Sequence, residues 1–185
     1  MLVLLCPAAA FAHVIVTPAQ VSAGQELVFN ESVPNEERTA VISVELLIPA
    51  GVADVIPTVK PGWTIDTTSS GSAGNSEISS ITWTGNIPVG QRDDFTFSAQ
   101  ILGTSSELDW KAYQTYADGS VVHWDQKPAG SDDSTGSAGP YSVTKVVSTS
   151  SSSTAAPSEN KFIFALIMSG AALLFSLFAL YLKRT

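Results

Sequence analysis

Apolar and polar residues alternate with a period of two along most of the chain between residues 13 and 147. The alternation is clear over residues 27–29, 39–46, 78–83 and 94–101, and it recurs over 108–116, 121–124 and 141–147. Successive side chains of a strand point to opposite faces, so each run predicts a strand with one buried face. Turn chemistry separates the runs: Ala23-Gly24, Pro49-Ala50-Gly51, Lys60-Pro61-Gly62, residues 71–75, Pro88-Val89-Gly90 and residues 128–140. Asp118-Gly119, between two β-rich runs, predicts a hairpin. No stretch of 13–147 keeps a helical period. Seven or more short strands of this spacing predict an all-β domain, an antiparallel β-sandwich of immunoglobulin or cupredoxin type.

The two ends read differently. Residues 1–12 are apolar, then small, and Ala10 and Ala12 form an A-x-A-like signal-peptidase site. The basic n-region of a signal peptide is missing, which predicts a start further upstream. Cys6 offers a rival reading as a lipidated first residue, but Leu4 and Leu5 stand where such a site favours small residues. At the other end a transmembrane helix is predicted over 161–182. Its uncharged part, Phe162 to Leu182, is long enough for a hydrocarbon core of about 30 Å. Lys183-Arg184 follow at once, which predicts a cytoplasmic tail at 183–185 and an anchor retained rather than exchanged for a GPI group. The Ser/Thr-rich residues 148–160 read as a flexible linker. The expected arrangement is a single-pass protein of the cell membrane, with a domain over 13–147 outside the cell.

Charge and composition narrow the chemistry. All 17 acidic residues fall within 13–160, against six basic ones, a net charge of −11 that excludes nucleic acid as a partner. The one cysteine, Cys6, lies in the segment that is removed, and neither methionine lies in the domain. Disulfides, blue-copper electron transfer and sulfur-based Cu(I) sites are thereby excluded. No nucleophile elbow and no Gly-rich phosphate loop is present. The paired carboxylates Glu36-Glu37, Asp93-Asp94 and Asp132-Asp133 read as solvated loop charges.

Two histidines remain, His13 and His123. Cleavage after Ala12 makes His13 the first residue of the mature chain. A terminal histidine gives two nitrogen donors from one residue, the α-amine and the ring Nδ1, which together close a chelate. An ordinary α-amine titrates at about 7.7–8.0, so a metal can displace its proton near neutral pH. For donor sets of nitrogen and oxygen the divalent series puts Cu²⁺ highest. Zinc stays open on ligand types alone, because His13, His123 and one carboxylate would make a three-ligand site.

Several motifs in order then carry a resemblance. His13-Val14-Ile15-Val16-Thr17-Pro18 and Gly24-Gln25-Glu26 are followed by Val44-Glu45-Leu46-Leu47-Ile48-Pro49-Ala50-Gly51-Val52 and Lys60-Pro61-Gly62-Trp63. Ile81-Thr82-Trp83-Thr84-Gly85 and Val122-His123-Trp124 complete the set. The chain resembles the YcnI-like copper-binding proteins over most of 13–128. The resemblance implies an extracytoplasmic β-sandwich that binds Cu(II) through a histidine brace and works in copper acquisition, trafficking or buffering without catalysis. It also implies a CopD-like copper membrane protein as partner. Carried over, His13 gives the amine and Nδ1, Glu26 a carboxylate oxygen, and Trp124 an indole covering the metal. Trp63, Trp83 and Trp110 are expected in the core. His123 neighbours Trp124 on a predicted strand and is expected on the opposite face. The alternatives are a histidine-brace oxidoreductase with His123 as an added ligand, and an adhesive or structural β-domain in which His13 is incidental.

Overall fold

A computed structural model describes residues 13–72, 75–128 and 138–148. The expected signal segment, most of the linker and the anchor lie outside the described residues. Twelve strands follow in chain order: β1 (Ile15–Thr17), β2 (Gln20–Ser22), β3 (Glu26–Pro34), β4 (Val41–Leu47), β5 (Val52–Pro57) and β6 (Thr64–Ser72), then β7 (Asn75–Ile87), β8 (Arg92–Ile101), β9 (Glu107–Tyr116), β10 (Val121–Gln126), β11 (Ala138–Pro140) and β12 (Ser142–Val147). The described residues contain no helix.

The strands form two layers. The smaller sheet has the order β1-β3-β8-β5, and the larger runs β11-β10-β9-β4-β7-β6. One edge of β9 is shared end to end: β12 pairs with its first half and β10 with its second. Every run of alternation read from the sequence falls on a strand, because each buries one face. On β3 the inward positions Phe29, Glu31 and Val33 are fully buried, while Val28 is exposed and Asn30 and Ser32 are half-buried between them. The Asp118-Gly119 hairpin forms between β9 and β10, with Gly119 at φ 85°, a backbone state that suits glycine.

The sandwich is not wholly antiparallel. β10 pairs in parallel with β11, and β12 in parallel with β2. Strands β1, β2 and β11 are three residues each, too short for periodicity to mark them. β6 is the opposite case: a Thr/Ser-rich edge strand with almost no buried residue, so it carries no hydrophobic pattern.

Aromatic residues fill the space between the layers. Phe29 lies 5.4 Å from Phe97 and 5.0 Å from Trp110, and Trp83 lies 5.0 Å from Phe95, ring centre to ring centre. Trp83 and Trp110 are fully buried, and Trp63 packs at the core's edge, edge-on to Phe95. Trp110 donates from Nε1 to Thr144 Oγ1 at 3.0 Å, and that hydroxyl donates to the Pro18 carbonyl at 2.9 Å. Asp93-Asp94 lies on β8 rather than in a loop. Asp93 accepts from Lys60 Nζ at 2.6 Å and from Trp63 Nε1 at 3.1 Å.

Gln114 and Thr144 are buried polar residues with hydrogen-bond partners, whereas one buried carboxyl has none. Glu31 is fully buried between Val16 and Phe95 on the neighbouring strands, and neither carboxyl oxygen has a hydrogen-bond partner. Burial alone pushes its pKa from 4.5 up to about 8. The unfolded chain releases this proton near 4.5 and the folded chain holds it to about 8, so stability falls as pH rises between those values. Glu31→Met removes both the orphaned polar atoms and the titration. It is expected to stabilise the fold by about 1–3 kcal/mol, with a larger gain at pH 8 than at pH 5 in denaturant unfolding. A destabilised variant, or an equal gain at both pH values, would contradict this reading.

Candidate metal centre

The short strand β1 pairs antiparallel with β3 in the register Ile15↔Ser32, Val16↔Glu31, Thr17↔Asn30. Val14 and Val16 are buried, and the Val16 amide donates to Ser142 Oγ at 2.9 Å. These contacts fix the start of the domain at one end of the sandwich. Continued two residues beyond Ile15, the same register would bring His13 level with Pro34.

His13 is exposed, and its ring lies 5.6 Å from the ring of Trp124, tilted by 53°. Trp124 itself is buried, with 8% exposure, on the inner face of β10. Its Nε1 donates to Gln114 Oε1 at 2.5 Å, and Gln114 Nε2 donates to the Pro34 carbonyl at 2.8 Å. Gln114 is fully buried on β9. The indole is thus locked to the larger sheet and to the end of β3 at once. Behind it runs Gly139 on β11, level with Trp124; a methyl group there would collide with the six-membered part of the indole.

The loop between β3 and β4 frames the other side. Asn35 is buried and pins it: Nδ2 donates to the carbonyls of Thr39 and Ile87, each at 2.9 Å, and Oδ1 accepts from the Glu37 amide at 3.1 Å. Glu36 and Glu37 thus follow Asn35, just past the Pro34 end of β3. Their charges reach Tyr116, the last residue of β9. Its phenol is pushed up to about 12, first by burial and then by the carboxylates of Glu37, Glu36 and Asp118. This end of the sandwich is negative.

The structure brings Trp124 to His13 but does not bring Glu26 there. Glu26 opens β3, eight residues before Pro34, and pairs with Gln100 on β8. At 3.2–3.4 Å per residue that is roughly 26 Å from the level of His13. The correction is one of strand direction: the carboxylates that share an end with His13 come after β3, not at its start. His123 lies on the other face of β10 from Trp124, edge-on to Tyr113. Among the described residues no group of three or more His, Cys, Asp or Glu side chains is placed to hold a metal. A metal at this end would have to use backbone donors as well.

Residues 13–145 match the family described as Domain of unknown function (DUF1775). The chain belongs to the DUF1775 family. Over 192 aligned residues, 96% of this chain and 89% of the relative, it is 32% identical to the copper-binding protein CutI of Bacillus subtilis (strain 168). CutI is YcnI-like, so it lies in the family to which the motifs had pointed. Among solved structures, an uncharacterized protein from Nocardia farcinica with an immunoglobulin-like fold is 27% identical, at a TM-score of 0.61. That match covers 73% of this chain and 98% of the Nocardia chain. This DUF1775 domain therefore has an immunoglobulin-like β-sandwich fold.

Gly139→Ala tests the packing behind the indole. It is expected to cost about 1–3 kcal/mol of stability, as overpacking does, measured by denaturant unfolding. Unchanged stability would mean that β11 does not hold Trp124 in place.

Proposed function

We propose that this protein binds one Cu(II) ion at the His13 end of the sandwich and serves copper trafficking, acquisition or buffering outside the cell. The observation that carries the reading is the ring of His13 over the locked indole of Trp124, beside the Glu36-Glu37 loop. Cleavage after Ala12 would add the α-amine, so that one residue gives two nitrogens. Amine, imidazole and carboxylate form a nitrogen and oxygen set, for which Cu²⁺ stands highest among the divalent ions. Glu36, two residues beyond the position level with His13, takes the role expected of Glu26. The kinship with a copper-binding protein supports the choice of metal.

The roles of the residues follow from their surroundings. His13 holds the ion. Glu36 offsets part of its charge, and Glu37 and Asp118 add a field that favours cations. Trp124, held by Gln114, shields one side of the ion from water. The oxidoreductase alternative needs a third nitrogen, and His123 faces away on β10; this favours binding and transfer over catalysis. The anchor at 161–182 would keep the domain on the outer face of the cell membrane, where a CopD-like membrane protein is the natural partner for copper transfer.

Copper titration of the processed protein tests this. His13→Ala is expected to lose more affinity than the roughly 10–100-fold that an outer-shell change costs. Glu36→Gln is expected to weaken binding about tenfold or more, and Glu26→Gln to leave it unchanged. Unaltered affinity in His13→Ala would overturn the site, and a loss confined to Glu26→Gln would overturn the choice of carboxylate.

A further inference from the structure

The outer face of the larger sheet carries a second group of donor side chains, apart from the His13 end. His123 and Asp125 stand two residues apart on β10, which is irregular between Trp124 and Gln126, and their side chains come near one another. His123 Nδ1 lies 3.7 Å from Asp125 Oδ2, beyond hydrogen-bond reach, with the two side chains 49% and 34% exposed. Tyr113 on β9 sits directly across from His123, with the ring centres 5.1 Å apart and the planes at 87°. Glu45 on β4 is the next residue along the same rung, opposite Tyr113. The Tyr113 phenol is raised by burial first and then by the neighbouring carboxylates of Asp125 and Glu45.

We propose that His123, Asp125 and Tyr113 form a second, weaker site for a divalent transition-metal ion, Cu(II) in the first place, on the outer face of the larger sheet. Bonds of about 2.0–2.2 Å from imidazole and carboxylate to one ion place the two donor atoms about 3 Å apart. The pair at 3.7 Å needs only a small closing movement of two half-exposed side chains. The Tyr113 hydroxyl then lies beside the carboxylate as a third, neutral donor. Among the described residues neither Asp125 nor Glu45 forms an ion pair with a lysine or arginine, although Lys111 stands two residues from Tyr113 on the same face of β9. Imidazole and carboxylate are again the donor types that suit Cu²⁺ and Zn²⁺. All the donors are side chains of strands inside the domain, with β10 irregular at Asp125, so this site does not depend on how the chain begins.

Copper sulfate added to the full processed chain, followed by electron paramagnetic resonance, separates the two sites. Two equivalents are expected to bind, the second with histidine nitrogen coupling. His123→Ala is expected to remove the second equivalent and leave the first within about threefold. Asp125→Asn is expected to weaken the second by at least the roughly 10–100-fold that loss of a supporting group costs at metal sites. His13→Ala is expected to keep the His123 signal, so failure at one site is read independently of the other. A protein that binds a single equivalent, or a His123→Ala variant that still binds two, would overturn the second site and leave His123–Asp125 as a surface ion pair.

Discussion

The antiparallel pairing of β1 with β3 is the constraint on which the rest depends. Three residues of strand, two buried valines and one amide-to-serine hydrogen bond decide where the domain begins in space. That register, continued two residues, would bring His13 level with Pro34, and the His13 ring lies 5.6 Å from that of Trp124. A slip of one residue would turn Val14 and Val16 outward and carry His13 away from the indole. In the proposed site a terminal His13 would supply the chemistry and the register its surroundings; neither would be sufficient alone.

The surroundings are rigid because polar groups inside the sandwich are satisfied in a chain. Trp124 is bonded to Gln114, Gln114 to the Pro34 carbonyl, and Asn35 ties the next residues to Thr39 and Ile87. Each such bond contributes only about 1 kcal/mol net, yet breaking one leaves a buried donor or acceptor without a partner, which costs more. The indole therefore has one orientation. Among the described residues the Glu31 carboxyl and Trp83 Nε1 are buried without a partner; Glu31, its pKa raised to about 8 by burial, makes the core more stable in mild acid than in mild base.

The fold was legible where strands bury one face. Each alternating run lies on a strand of the sandwich, and the Asp118-Gly119 hairpin stands where its turn chemistry puts it. Strands β1, β2 and β11 were not legible, since three residues carry no period, and β6 was hidden because its threonines and serines face water on both sides. The parallel pairings of β2 and β11 are long-range choices that no local pattern records. The candidate site was half legible. His13 and Trp124 come from chemistry visible in the chain: a terminal chelate and an indole on a strand. Glu26 stands at the opposite end of β3 from Pro34, which the sequence did not reveal, because the direction of β3 relative to β1 is a fact of pairing. Glu36 and Glu37 looked like loop charges. The signal that could have found them is Pro34-Asn35, a strand end followed by an asparagine able to pin a turn beside two acids.

The most direct test concerns the first residue. Pulsed electron paramagnetic resonance should be recorded on the protein loaded with one equivalent of Cu(II), once with His13 as its first residue and once with a single added residue before it. The account predicts two strongly coupled nitrogens from His13 in the first protein and loss of the amine coupling in the extended one. Identical spectra from the two proteins would contradict it.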